Sequence, residues 1–122
     1  MNRKKLGKLG EEIAERHLKE RGYKILDKNF SKRLASGRLL GEVDLIAKKD
    51  GVVSFVEVKT ILRKTGFSPE QKVNFGKKQK IARAAEVWLQ KRNINLDVQW
   101  SIDVISVVLD SGRAKVKHFK NV

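Results

Sequence analysis

Two acidic residues and one lysine carry the chemistry that this chain could perform, and they are Asp44, Glu57 and Lys59. Asp44 lies in one predicted strand, and Glu57 and Lys59 lie two residues apart in the next. The alternation of side chains along a strand puts Glu57 and Lys59 on one face. Asp50-Gly51 between the strands is typical of a hairpin turn. An antiparallel hairpin therefore brings all three side chains to one region of a sheet.

The chemistry of this trio favours a divalent cation. Two neighbouring carboxylates repel each other unless a positive charge lies between them. Mg²⁺ takes oxygen ligands and is often held by only one or two carboxylates together with water and phosphate oxygens. The sequence thus predicts a site for Mg²⁺, or Mn²⁺, on Asp44 and Glu57. The alternative is a structural ion network in which both carboxylates pair with Lys59 and with neighbouring arginines.

A third acidic residue comes from the first predicted helix, residues 3–21. At 100° per residue, Glu11 lies at the edge of the apolar stripe, whereas Glu12 points away from the stripe toward solvent. Glu11 is thus the helix acid that can reach the sheet. The competing interpretation is a charge that only stabilises the N-terminal part of the helix or is solvated at the surface.

The elements that must position these residues follow from periodicity and turn signals. The second helix is predicted from about Asn74 to Asn93, with Ser68-Pro69 as a capped start ahead of it. Ser31–Leu40 is predicted to be an exposed loop. The predicted strands are Tyr23–Phe30, Glu42–Lys48, Val52–Thr60, Val98–Leu109 and Ala114–Phe119. The order α-β-β-β-α-β-β predicts one α+β, or mixed α/β, domain over residues 1–122.

Several other polar and aromatic residues are assigned to the scaffold. Trp88 and Trp100 match core positions of a helix and a strand. His17 is interpreted as a packing residue, and His118, in the last basic strand, is expected to be exposed. Asp103 is left outside the site as a residue that fixes strand register or caps a loop.

The charge of the chain predicts a polyanionic partner. Lys and Arg number 28 against 14 Asp and Glu, so the net charge is +14. Adaptation to heat adds residues of both signs, whereas a basic excess is typical of nucleic-acid binding. Residues flanking the Glu57 strand are expected to form a phosphate-binding rim. They are Arg63, Lys64, Lys72, Lys77, Lys78, Lys80 and Arg83.

The chain contains no cysteine and two histidines, which excludes thiolate and all-histidine metal sites. No apolar stretch approaches the roughly 18 residues of a membrane span, and no apolar signal region follows the basic N-terminus. A cytoplasmic protein without a membrane partner is therefore expected.

Three sequence bands resemble those of the YraN-like family of small bacterial proteins: Leu9–Ala14, Gly41–Ala47 and Phe55–Thr60. The pattern of Asp44 followed by Glu57-Val58-Lys59 also resembles the core of the PD-(D/E)XK nucleases, to which archaeal Holliday junction resolvases are related. The resemblance covers Gly7 to about Val107 and implies a restriction-endonuclease-like core. Departures at Ile61 and Ser101, where the family tends to have arginine, concern substrate contacts and remove no metal ligand.

The resemblance also implies a role for each matching residue. Asp44 and Glu57 would hold the metal, and Glu11 would complete the site. Lys59 would stabilise charge that develops on the phosphate, or would position or activate the attacking water. Lys77 would contact the phosphate backbone.

Three functions therefore remain open. The first is a metal-dependent DNA endonuclease, acting on branched DNA if the resolvase resemblance holds and as a homodimer if it cuts four-way junctions symmetrically. The second is a non-catalytic DNA- or RNA-binding module that uses the same basic surface. The third is a structural protein associated with RNA or the ribosome. Carboxylates repel phosphates, so an acidic cluster brings no benefit to a pure binder.

Overall fold

The computed structural model describes residues 2–63 and 75–122, and it consists of two helices and one mixed sheet. The helices are α1 (Arg3–Glu20) and α2 (Phe75–Lys91). The strands are β1 (Lys24–Arg33), β2 (Leu39–Lys49), β3 (Val52–Leu62), β4 (Trp100–Asp110) and β5 (Arg113–Phe119). The predicted α+β element order is confirmed.

The five strands lie side by side in chain order, and only one neighbouring pair is parallel. β1–β2, β2–β3 and β4–β5 are antiparallel, whereas β3–β4 is parallel. A parallel pair needs a long crossover, and the segment between β3 and β4 contains α2. β3 is the third of the five strands and thus the central one. The apolar residues on both of its faces predict this position.

Each helix covers one face of the sheet. On the α2 face, the core consists of residues from β2, β3 and α2: Val43, Ile46, Val53, Phe55, Ile81, Ala84, Ala85, Trp88 and Leu89. On the α1 face, it consists of residues from α1, β2, β3 and β4: Ala14, Leu18, Leu45, Ala47, Val56, Ile105 and Val107. Trp88 is buried and Trp100 packs beside this core, as predicted.

Half of the segment predicted as the exposed loop Ser31–Leu40 is strand, so the predicted loop is too long. β1 continues to Arg33 and β2 begins at Leu39, with Lys32 opposite Gly41 and Arg33 opposite Leu39. The loop that remains is a short turn, in which the backbone N–H of Leu34 donates to the carbonyl of Arg38 and that of Gly37 donates to the carbonyl of Leu34. Pairing with a neighbouring strand satisfies the backbone here, although the polar sequence suggests a loop.

The end of α1 follows its predicted glycine signal. Gly22 has a φ of 90°, a conformation open to a residue without Cβ. The backbone N–H groups of Gly22 and Tyr23 donate to the carbonyls of Lys19 and Leu18, which is the pattern of a Schellman cap. The predicted start of α2 at Ser68-Pro69 lies outside the described residues.

Two glycines set how closely the helices approach the sheet. A Cβ at Gly10 of α1 would overlap the side chain of Thr60 in β3. A Cβ at Gly41 of β2 would overlap the backbone of α2 at Lys80 and Ala84. Close helix–sheet contact at both places therefore requires a residue without a side chain.

His118 is buried, which corrects the expectation that it is exposed. Its side chain is 8% exposed, and its Nε2 lies 2.7 Å from Oδ2 of Asp103, which is 1% exposed. Asp103 also accepts hydrogen bonds from the Ser101 hydroxyl and the Asn121 backbone N–H. The expectation failed because His118 lies opposite Ile105 and shares the face that α1 covers.

Neither helix of the described residues is both long enough and apolar enough to cross a membrane.

Candidate functional site

The candidate site opens where the pairing between β2 and β3 stops. The ladder runs from Lys49–Val52 at the turn to Leu45–Val56. Asp44 is the next residue of β2, and its side chain takes over the role of a strand partner. Oδ2 of Asp44 accepts the backbone N–H of Val58 at 2.8 Å.

Side-chain packing along this part of β2 departs from strict alternation. Val43 and Ile46 are three residues apart, yet both pack into the core on the α2 face. Strict alternation would put them on opposite faces. Asp44 lies between them, and its carboxylate reaches the edge of β3.

Glu57 and Lys77 form an ion pair at the centre of the site. Nζ of Lys77 lies 2.9 Å from Oε1 of Glu57, whose side chain is 9% exposed. Lys77 precedes Ile81 by four residues, so it lies on the side of α2 that faces the sheet. The buried stripe that positions Ile81 and Trp88 thereby also directs Lys77 to Glu57.

The pKa of Asp44 shows how closely the charges are gathered. Burial and the neighbouring Glu57 raise this pKa from 3.8 to about 7, and Glu11 adds to the rise. The Val58 N–H and Lys77 oppose it without cancelling it. Asp44 and Glu57 therefore lie near enough to repel, as the sequence predicts.

Lys59 is half-buried on the same strand and face as Glu57. Burial and the neighbouring Lys77 lower the pKa of Lys59, while Glu57 and Asp44 raise it less. The site thus places two ammonium groups among its carboxylates.

Glu11 of α1 also comes near these groups, whereas Glu12 is exposed. Burial raises the pKa of Glu11, and the charge of Glu57 adds to this, while a hydrogen bond with Asn29 opposes it. Gly10, next to Glu11, is the point at which α1 contacts β3.

Asn29 is the neighbour of this site that sequence reasoning missed. Its φ is 51° within β1, in the left-handed region that asparagine tolerates better than most residues. An asparagine inside a predicted strand, where this residue type is rare, is the signal that could have found it.

Two carboxylates of this site, those of Asp44 and Glu57, are of a type that Mg²⁺ accepts as ligands. They are a set of two: within residues 2–63 and 75–122, no group of three or more His, Cys, Asp or Glu side chains could hold a metal ion. Asp44 and Glu57 supply hard oxygen ligands, which magnesium prefers. The Val58 carbonyl points to the same strand edge as its N–H, because both groups of one residue face one side of a strand.

The predicted phosphate-binding residues are only partly gathered. On α2, Lys78 is half-buried, and Lys80 and Arg83 are exposed. Arg63 follows β3, and its backbone N–H donates to the carbonyl of Leu109. Lys64 and Lys72 lie outside the described residues.

Comparison with known proteins identifies a family. Residues 10–107 match the model described as Uncharacterised protein family UPF0102. A UPF0102 protein of Syntrophomonas wolfei is 41% identical over 122 residues, which cover 99% of this chain and 98% of the relative. One of Alkaliphilus oremlandii is 38% identical, over 97% of each chain. These matches support the resemblance to the YraN-like family. Since the family model covers most of its length, the chain belongs to the uncharacterised protein family UPF0102.

Proposed function

We propose that this protein is a divalent-metal-dependent endonuclease that hydrolyses phosphodiester bonds of DNA. The observation that carries the proposal is the gathering of Asp44, Glu57, Lys59 and Lys77 where the β2–β3 ladder ends. A relation to the PD-(D/E)XK nucleases and a restriction-endonuclease-like core would account for this arrangement. The hairpin, the following parallel strand and the helix on each face are in keeping with it.

In this proposal, Asp44 and Glu57 hold the metal, and the Val58 carbonyl lies at the same edge. The bound cation supplies polarisation of a phosphoryl oxygen and a more acidic water. Both carboxylates would be attracted to the common cation, and this attraction would outweigh the repulsion between Asp44 and Glu57 and stabilise their ionised forms.

Lys59 stabilises the negative charge that develops on the phosphate, or positions the attacking water. Burial and the neighbouring Lys77 lower the pKa of Lys59 and so make its ammonium a better proton donor. Glu11 completes the acidic side of the site from α1.

Lys77 has two partners in this scheme. In the structure it forms an ion pair with Glu57. With a cation held by Asp44 and Glu57, Lys77 would be available to contact a phosphate of the backbone, together with the exposed Lys80 and Arg83 of α2. Nucleic acid supplies the negative charge that balances a net charge of +14.

The substrate is DNA, with branched DNA as the preferred form on the strength of the resolvase resemblance. Symmetric cutting of a four-way junction requires two active sites, so a homodimer belongs to this version of the proposal.

A non-catalytic nucleic-acid-binding module is the second candidate, and one observation favours it. The ion pair of Lys77 with Glu57, at 2.9 Å, neutralises a buried carboxylate without any metal. In this case the acidic cluster is a structural ion network, and DNA is bound by the surrounding lysines and arginines.

The deciding experiment measures cleavage of end-labelled linear, flapped and four-way DNA in the presence of Mg²⁺ or Mn²⁺. The wild type is compared with Asp44→Asn and Lys59→Ala. Glu42→Gln is the matched control, because Glu42 is an exposed acid on the same strand, two residues from Asp44. Cleavage is expected to be lost in both site variants and kept in the control.

Calorimetry with Mn²⁺ tests the metal site directly. Asp44→Asn should fold and bind DNA but lose metal binding. Products that persist in Asp44→Asn, or metal binding undiminished by it, would refute the assigned site. Salt-sensitive DNA binding without products from any substrate would establish the binding module instead.

A further inference from the structure

The last strand presents two lysines on the same face of the sheet as Glu57. Val116 packs into the core on the α1 face, so Lys115 and Lys117, its neighbours in β5, project from the opposite face. That opposite face is the one on which Glu57 meets Lys77 of α2. Both β5 lysines are exposed.

The strand register connects these lysines to the candidate site. Lys59 lies opposite Ser106 in the parallel pair β3–β4, and Ser106 lies opposite Lys117 in the antiparallel pair β4–β5. Lys59 and Lys117 are thus two strand spacings apart, about 10 Å at roughly 4.8 Å each. Ser106 between them is 2% exposed, so the longer lysine side chains form the accessible surface of this row.

Among the described residues, the surroundings of this row are basic. α2 packs chiefly against β2, on the other side of β3 from β5. Residues 113–122 contain Arg113, Lys115, Lys117 and Lys120 and no acidic residue. The phosphate-binding rim predicted from the sequence lies only between Arg63 and Arg83, and the β5 lysines extend the basic surface to the far edge of the sheet.

We propose that Lys115 and Lys117 bind the phosphate backbone of a DNA strand that runs from the Glu57–Lys59 site across β4 and β5. The proposal rests on the proposed function, since the site marks where the strand begins. About 10 Å corresponds to roughly three nucleotide steps along the helix axis, at an axial rise of about 3.4 Å each. The lysines therefore hold phosphates on one side of the bond at the site and set the direction in which the DNA leaves it.

The test measures how the affinity for a short fluorescein-labelled DNA duplex varies with KCl, in EDTA so that no cleavage occurs. Each phosphate contact contributes about 0.9 to the slope of log K against log salt. Lys115→Gln/Lys117→Gln should therefore make the slope shallower by about 1.8, and each single substitution by about 0.9. Lys115→Arg/Lys117→Arg should retain the wild-type slope, because arginine keeps the charge.

Lys24→Gln/Lys48→Gln is the matched control. These two exposed lysines form a cross-strand pair of β1 and β2. Lys48 lies opposite Val53, four residues before Glu57 along β3 and thus about 13 Å from it at roughly 3.3 Å per residue. The control loses the same charge, and its slope should stay at the wild-type value.

An unchanged slope in the β5 variants, or an equal change in the control, would overturn the proposal. Circular dichroism melting checks that each variant is folded, and the single substitutions give the answer if the double variant is not. Cleavage with Mg²⁺ is measured separately. DNA binding that depends on β5 without any products refutes only the nuclease, whereas cleavage with an unchanged slope refutes only this path for the DNA.

Discussion

Asp44→Asn should stabilise the folded protein at alkaline pH, although it removes a central residue of the site. The Asp44 carboxyl group is largely buried and lies near the negative charge of Glu57. Its ionisation therefore opposes folding. Asparagine has nearly the same shape and keeps an oxygen that can accept the Val58 N–H. The substitution therefore removes the unfavourable charge and leaves the backbone hydrogen bond in place.

The magnitude follows from the two pKa values. The pKa of the Asp44 carboxyl group is 3.8 in the unfolded chain and about 7 in the folded protein. At about 1.4 kcal/mol per pH unit, this difference corresponds to about 4 kcal/mol of folding free energy. Because the folded pKa is the higher one, the folded state binds the proton more tightly. Stability is thus lost as pH rises from about 4 to about 7, and not as it falls.

The net effect of the substitution is smaller than this difference. A neutral acceptor is weaker than a carboxylate by about 1 kcal/mol. The Asp44→Asn variant should thus be about 3 kcal/mol more stable than the wild type at about pH 8, and no more stable than the wild type at about pH 4.

Urea unfolding followed by tryptophan fluorescence at both pH values measures the difference, since Trp88 is buried. Glu42→Gln, at an exposed position of the same strand, is the control and should keep the pH dependence of the wild type. A wild type and an Asp44→Asn variant that lose stability in parallel between the two pH values would refute the reasoning.

Two further predictions concern the scaffold. Gly10→Ala should lower the free energy of unfolding by roughly 1–3 kcal/mol, because the new methyl meets Thr60. Gly7 lies in open space on the same helix, so Gly7→Ala should instead raise the free energy of unfolding by up to about 1 kcal/mol. Equal shifts of the melting temperature in the two variants would contradict the close approach of Gly10 to Thr60. Asp103→Asn should cost roughly 1–3 kcal/mol near neutral pH, because a neutral amide replaces the buried carboxylate that bonds to His118, Ser101 and the Asn121 backbone N–H. Burial raises the pKa of Asp103, but hydrogen bonds from His118 and the backbone outweigh burial and lower this pKa. The wild type should therefore lose this stability as pH falls through the pKa of Asp103. An Asp103→Asn variant with the same acid sensitivity as the wild type would refute this account.

The proximity of Asp44, Glu57 and Lys59 was predictable because it depends on local rules. A hairpin turn and the alternation of side chains bring residues of adjacent strands together without knowledge of the remaining fold. The position of the half-buried Lys77 on the side of α2 that faces the sheet follows in the same way from the stripe of α2. The apolar pattern of β3 likewise indicates its central place.

The features that were missed depend on which strands pair with each other. His118 is buried because β5 returns beside β4 and brings it to Asp103, fifteen residues earlier. The segment Ser31–Leu40 is polar, and its strands form because each supplies the hydrogen bonds of the other. Neither composition nor periodicity contains that pairing.

The hydrogen bond from Val58 to Asp44 has a consequence for the backbone itself. At this position a carboxylate replaces the carbonyl of a neighbouring strand. The Val58 amide proton is therefore a built-in reporter of the site, because its NMR chemical shift and its exchange with solvent respond to the charge on Asp44. A proton, a metal ion or a phosphate that arrives at the carboxylate changes the signal of this one main-chain group, without any added probe.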